Sequence, residues 1–431
     1  MPSLSMPVTE PVWPLPGRAS VPAVCTPDGA GDPCAAGDLC TDVLATLRRS
    51  DQRRHGLLHT PGRKTIRNIA AWIGEHAGEQ SLHHSISSST WDWSLLRARL
   101  ARRLEQELAP RAWVVRPMVV PKAGTQSVGV ERRYVPHLRQ TVNSQHSWGL
   151  WYASESGAVP VNWQLSIGDG WLGDEGLRRR AAIPRELRAR PSEAVAAGIV
   201  GETAGWGLPK GERYVRKPLV MDARELPVAS LIRALSAAGQ PFLLRIDNGT
   251  TLLAPGLSGA GRPVTATAAR IAELARSQQR PVEWVDPAEP AVPRTSLLGL
   301  LPVCWPGLLP VPGTVARPGG AAGNGTRRPP ARSLVLVAEW QPTVTDRSRV
   351  VELWVTNMTD AGRGTLLRLG KSLRRVETGS AGAGHDVGLR DSEGRSYPGW
   401  HRHVTLASLA HAMWVLAPDI PAAGAHDTSR E

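Results

Sequence analysis

Between Asp42 and Pro110 the apolar positions recur at helical spacing. Ile66, Ile69, Ala70 and Ile73 predict a helix within Lys64–Gly78, and Leu95, Leu96, Leu100, Leu104 and Leu108 predict a second one. Ser89 and Thr90 are cap candidates for that second helix, with Asp92 in its first turn at the positive end of the helix dipole. Arg97, Arg99, Arg102 and Arg103 read as lying off the leucine stripe, on a face open to solvent or to DNA.

From Ala112 the pattern changes to strands. Ala112–Val120, Ser127–Tyr134 and Ser147–Ala153 predict three consecutive antiparallel strands, and Val159–Ser166 continues in extended character. An Arg-rich segment with Arg178–Arg180, Arg185, Arg188 and Arg190 follows, then a helix over Ser192–Thr203. Pro218–Asp222 reads as a short buried strand ending in an acid, Val228–Ala238 as a helix and Pro241–Ile246 as the next strand. Asn248–Ala331 is rich in Gly, Pro and Thr, with Pro310–Arg332 as low-complexity linker. Leu334–Trp340 and Val350–Val355 restore strand character, and helices are expected over Leu366–Val376 and Val404–Leu416. Antiparallel strands followed by alternating helix and strand predict an α/β fold on one mixed sheet.

Composition adds a partner. The chain of 431 residues is 41% hydrophobic, which predicts a globular body. It contains no apolar run approaching the roughly 20 residues of a membrane span. Met1–Val24 is Pro-rich and polar without an apolar signal core, so a disordered start and a cytoplasmic location are expected. Only five residues are Lys, and 16 Trp stand against one Phe, a coding bias towards GC-rich codons. That bias explains Arg over Lys but not the net charge of +13, which points to a polyanion. Cys25, Cys34, Cys40 and Cys304 lack the spacing of a zinc site and read as free thiols.

The strand Ala112-Trp113-Val114-Val115-Arg116-Pro117-Met118-Val119-Val120 precedes Lys122, Gly124, Thr125, Ser127, Val128, Gly129 and Val130. That order resembles the first catalytic strand, and the segment opening the next one, in bacterial insertion-sequence transposases with a DDE core. Val387–Ala407 is similar to the segment ending the catalytic domain, of the insertion-sequence 701 family in particular, and Trp171–Pro184 to the segment between its first two acids. The resemblance spans Cys40 to Leu416. It implies a ribonuclease-H-like mixed sheet with an N-terminal helical region and a β-rich insertion. The implied division is a disordered arm (1–38), a helical DNA-binding region (39–110), a core in two parts (111–247 and 333–417), an insertion with linker (248–332) and a disordered tail (418–431).

Such cores cleave DNA with two divalent cations about 4 Å apart, held by carboxylates. Arg116 stands where the resemblance places the first Asp, Asp222 at the second acid and Glu377 near the third. Pro117 follows where the family often has Glu, and the nearest acids, Glu107 and Glu131, lie outside the strand's core. A guanidinium about 4 Å from a divalent ion costs on the order of 8 kcal/mol at an effective dielectric of about 20. The glycines after Glu377 argue against a firm helix there. Asp222 is expected within reach of Arg116, and the Arg116 strand is expected to pair with Ser127–Tyr134 in a five-stranded sheet. Lys122, Arg132, Arg178, Arg179, Arg180, Arg395, His401, Arg402 and His403 are the candidate DNA contacts, with the two histidines alternatively anchoring the terminal helix. The residues favour a transposase-like protein that binds double-stranded DNA, is catalytically impaired and needs no cofactor. The alternative is an active DDE transposase using Mg²⁺ with an unrecognised third acid. A homodimer is left open.

Overall fold

Helix α1 (Trp93–Glu107) starts at Asp92, whose carboxylate accepts from the Ser94 amide at 2.7 Å, so the cap is Asp92 itself. The computed structural model describes residues 60, 62–64, 68, 91–135, 139–204, 206, 216–255, 263–286, 289–306, 334–342 and 349–416. The N-terminal arm, nearly all of the helix expected over Lys64–Gly78, Ser89 and Thr90, three of the four cysteines, the 310–332 linker and the tail lie outside them. No helix among the described residues is long and apolar enough to cross a membrane.

After α1 come β1 (Ala112–Pro121), β2 (Val130–Val135), β3 (Gln140–Ala153) and β4 (Ala158–Leu165). Two short helices, α2 (Asp169–Leu172) and α3 (Glu175–Arg180), lead to α4 (Ser192–Thr203). Then follow β5 (Leu219–Asp222), α5 (Val228–Ala237), β6 (Phe242–Arg245), the hairpin of β7 (Thr251–Ala254) and β8 (Val264–Thr267), and α6 (Ala268–Leu274). Strands β9 (Arg280–Asp286), β10 (Glu289–Val303), β11 (Leu334–Gln341) and β12 (Arg349–Thr356) precede α7 (Arg363–Ala381), α8 (Ala383–Asp386) and α9 (Tyr397–Leu416).

The main sheet runs β2-β3-β1-β5-β6-β12-β11-β10-β9, with β4 also paired to β3. The large mixed sheet is consistent with the ribonuclease-H-like arrangement. Strands β1, β5 and β6 are mutually parallel, and β3 and β12 flank them antiparallel. Two expectations change. The Arg116 strand pairs with β3, with Arg116 opposite Gly149, and not with the strand after Lys122. The sheet is ten-stranded, because β9 to β12 continue it past β6.

The first difference has a local cause. Strand β3 is 14 residues long, and its first half is polar, so hydrophobic alternation reveals only its second half. Ser144, Gln145 and Ser147 are nonetheless buried. Gln145 donates to the Val128 carbonyl at 2.7 Å and Ser147 to that of Met118 at 3.3 Å, which satisfies them inside the fold. Gly129 makes the turn into β2 with φ +74, where a Cβ would lie 2.8 Å from Ile167 Cδ1.

Side chains alternate across the sheet. Val114, Val220, Leu243 and Trp354 face the core beneath α7 and α9, whereas Val115, Met221, Leu244 and Val355 face the core beneath α4, α5 and α6. Helix α1 joins both through Leu96 on one side and Leu100 and Leu104 on the other. Leu95, expected on the buried stripe, is 63% exposed, while Arg97 is only 2% exposed. Positions 97, 100, 101, 104 and 108 form the i, i+3, i+4 face that is buried, and Arg97 heads it.

Arg97 ties α1 to β4 and α9. Its guanidinium donates to Thr405 Oγ1 at 2.8 Å, Asn162 Oδ1 at 3.1 Å, the Trp163 carbonyl at 2.9 Å, and both Nδ1 and the carbonyl of His401 at 3.1 Å. Burial pushes its pKa down to about 9, which still leaves it charged at neutral pH. Replacing Arg97 by Ala removes five hydrogen bonds to buried acceptors at once and opens a cavity. The expected loss is about 3–5 kcal/mol of stability. Urea melts should show a lower midpoint with an unchanged slope, and a shift within error would mean that Arg97 is not a structural clamp.

Candidate functional site

The period of two that fills the core also sets the chemistry of one face. Arg116, Asp222, Arg245 and Glu352 occupy positions in phase with Val114, Val220, Leu243 and Trp354, so they belong to the α7 face. The parallel register Val115 to Met221 brings Arg116 and Asp222 next to each other one step further on, and Asp222 is paired with Arg245. Helix α7 covers this face with Leu366, Leu369, Leu373 and Val376, and Lys371, Arg374 and Glu377 recur along it every three residues. The helix continues past Glu377 to Ala381, contrary to expectation. One glycine in a helix costs only about 1 kcal/mol, which packing against β1, β4 and β5 outweighs.

Asp222 is occupied. Arg224 binds its two oxygens through Nε at 2.9 and 3.1 Å and through Nη2 at 2.6 Å, and Arg245 stands 3.7 Å away. Arg245 also pairs with Glu352 at 3.1 Å, and Lys371 lies 3.7 Å from Glu352. Lys371 donates to both oxygens of buried Glu339 at 2.8 Å, and Ser296 donates to Glu339 at 2.7 Å. The result is a chain of alternating charges from β5 to β11, roofed by α7.

Arg116 differs. It is half-buried, and among the described residues its guanidinium makes no hydrogen bond and has no carboxylate oxygen within 4 Å. Desolvation lowers its pKa, Glu377 opposes that shift and Arg390 adds to it. Glu377 keeps surface contact with solvent, but crowding by protein raises its pKa. Arg116 and Arg245 pull it down, and Asp222 and Glu352 push it up. The strand edge therefore places Arg116, Asp222, Arg245, Glu352 and Glu377 in one electrostatic neighbourhood.

A divalent pair does not fit these residues. Among the described residues no three His, Cys, Asp or Glu side chains converge as metal ligands. Arg116 brings a guanidinium to this face, and a guanidinium has no lone pair for a metal. Asp222 already spends both oxygens on Arg224. Arg224, Arg245, Glu352, Lys371 and Arg390 were not among the candidates. The Asp-x-Arg order of Asp222-Ala223-Arg224 was the one local signal for them.

The candidate DNA contacts divide by burial. Arg132, Arg179, Arg180 and Arg395 are exposed. Arg178 instead closes the loop after α3, donating to the carbonyls of Leu172, Pro184, Arg185 and Leu187 at 2.6–3.2 Å. Lys122 donates to the Ser392 carbonyl at 2.5 Å. His401, Arg402 and His403 are buried, which corrects their assignment as DNA contacts and leaves them as anchors of α9. His401 stacks on Trp93 at 5.1 Å, Arg402 lies 5.9 Å from the Trp91 and Trp93 ring centroids, and His403 Nε2 is 2.9 Å from the Gly388 carbonyl.

Residues 42–296, more than half of the chain, match the family model described as DDE superfamily endonuclease. No curated protein matches the chain.

Burial of the α9 histidines gives the fold a pH dependence. Desolvation holds His401 well below the usual histidine value, lowers His403, and pushes His411 down to about 4. An unfolded histidine titrates near 6.5, so the unfolded chain takes up these protons first. The histidines' contribution is complete above about pH 6.5 and is lost as pH falls towards 4, with His411 alone worth on the order of 3 kcal/mol. Glu377, with its raised pKa, works in the opposite sense. Denaturant melts from pH 7.5 to 4.5 should show the decline, and His411→Gln should flatten part of it. An identical profile in that variant would place the decline elsewhere.

Proposed function

The chain belongs to the DDE superfamily of endonucleases, and from that premise we propose that it binds double-stranded DNA without performing two-metal cleavage. The observation that carries this reading is the state of the strand edge. Arg116 brings a guanidinium to the face where the resemblance expects the first acid, and Asp222 is paired with Arg224 and Arg245. On this reading the core is ribonuclease-H-like, and the protein derives from transposases of the insertion-sequence 701 type. The N-terminal helical region and the exposed Arg132, Arg179, Arg180 and Arg395 supply the DNA surface, and Asp222 and Glu377 are remnants of the acidic set. The net charge of +13 supports a polyanionic partner.

The chemistry follows from the cations. A metal pair draws two or three carboxylates around itself, and here guanidinium and ammonium groups already take that place between them. Asp222 held by Arg224 is fixed in position and unavailable as a ligand. The chain's own groups can therefore hold a phosphate backbone but lack the donors that would activate a water or a 3′ hydroxyl.

Gel-shift titration of a DNA duplex from about 50 to 200 mM salt tests the binding. Contact with four phosphates predicts a fall in affinity on the order of a hundredfold, since each neutralised phosphate releases a counterion. Millimolar Mg²⁺ or Mn²⁺ should leave the melting temperature unchanged. No retention of DNA at low salt removes the binding reading. Metal-dependent nicking of supercoiled DNA, abolished by Asp222→Ala, overturns the loss of cleavage and returns the chain to the active transposases.

A further inference from the structure

Strand β2 is an edge of the main sheet, paired on one side only, to β3, among the described residues. Its two faces carry different chemistry. On one, Arg133 Nε donates to Glu131 at 2.7 Å, so each of these charges is answered by the other. On the other, Arg132 and Tyr134 stand opposite Asn143 and Thr141 of β3, and both are exposed. Asn143 and Thr141 are in phase with Gly149, which pairs with Arg116. Arg132 and Tyr134 therefore belong to the same side of the sheet as Arg116 and Asp222. Arg139, also exposed, immediately precedes β3 where the hairpin turns back. Among the described residues neither Arg132 nor Arg139 has a carboxylate oxygen within 4 Å.

Tyr134 is 60% exposed, whereas every other described Trp, Tyr and Phe is buried or half-buried. Charge alone would guard an open edge against pairing with another chain. An aromatic ring does not serve that purpose, and its flat apolar faces are left for a partner. We propose that the β2–β3 ribbon binds DNA at unpaired bases, with Tyr134 stacking on a base and Arg132 and Arg139 holding the flanking phosphates. Every base has a π face, so stacking needs no particular sequence. Inside a duplex those faces are covered by the neighbouring base pairs, and only an unpaired base offers one to the ring. The two guanidinium groups, placed before and after the ring along the hairpin, complement the backbone charge on either side of that base. Ring and charges together select a junction where duplex gives way to single strand, such as a tailed or frayed end. The inference rests on the DNA-binding reading and adds to it the form of DNA preferred.

Anisotropy titrations at fixed salt in EDTA test it, comparing a blunt duplex with the same duplex carrying a short single-stranded thymine tail. The full chain should bind the tailed duplex more tightly. Tyr134→Ala should weaken that binding roughly tenfold or more, the range for one stacked base, and leave the blunt duplex unaffected. Tyr134→Phe keeps the ring and should keep the preference. Arg132→Ala should weaken both duplexes and lower the salt dependence by about one counterion. Urea melts of these variants should match the unaltered chain, because the positions are exposed. A fluorescent purine analogue at the first unpaired position should change its emission on binding the unaltered chain and Tyr134→Phe, but not Tyr134→Ala. Equal affinity for the two duplexes, or a tail preference that survives in Tyr134→Ala, overturns the ribbon's role and leaves DNA binding standing. Failure to retain either duplex at low salt removes both.

Discussion

The neutralisation of charge between α7 and the sheet is the constraint on which the rest of this structure depends. Six charged positions on β1, β5, β6, β11 and β12, counting Arg224 just beyond β5, fall beneath or beside one helix. Ionic groups withdrawn from water destabilise a fold unless paired and hydrogen-bonded. The pairing is nearly complete: Arg224 and Arg245 on Asp222, Arg245 and Lys371 on Glu352, Lys371 and Ser296 on Glu339. Trp284 supports the far end, with its indole donating to Ser296 at 2.9 Å and its ring 4.5 Å from Lys371 Nζ. This fixes α7 over the sheet and leaves Arg116, among the described residues, as the exception. Function and packing are thus decided by the same few side chains.

A second polar cluster joins the first described segments to the last helix and the loop before it. Arg97 locks α1 against β4 and α9, and nearby the Lys64 amide donates to Asp391 at 2.6 Å. Gly388, at φ +72, lets Lys64 lie against it, since a Cβ there would stand 2.6 Å from Lys64 Cβ. Lys122 reaches Ser392 from the loop after β1, and Tyr397 donates its amide to Ala181 at 2.7 Å. The Trp171 indole donates to the Val130 carbonyl at 3.0 Å. The segments that carry the resemblance to transposases, around Lys122, Trp171 and Val387, therefore meet one another through structural contacts.

Much of the site was legible because it depends on local pattern. Alternation and the strand-helix-strand order located Arg116 within a strand and Asp222 at a strand end, and the resemblance pointed to Glu377. What escaped was of two kinds. Arg97, His401, Arg402 and His403 carry charge or a titratable ring, and such residues read as surface until the fold supplies partners for them. Glu352 and Lys371 were invisible as site residues because β12 and α7 come far along the chain from β5, and their approach is a matter of sheet order.

By itself the sequence determined the periodicities, the basic charge, the identity of the residue at position 116 and hence the ligand chemistry denied to that position of the strand. These follow from side-chain type and spacing, which act within a few residues. The tertiary structure decided that β1 pairs with β3, that four strands extend the sheet beyond β6, and that an arginine heads the buried stripe of α1. It also decided that Asp222 answers to Arg224 and Arg245 while Arg116, among the described residues, meets no carboxylate within ion-pair distance. Which strand a strand joins and which charge a charge meets are long-range outcomes, set by the closing of chain segments on one another and by the burial that follows.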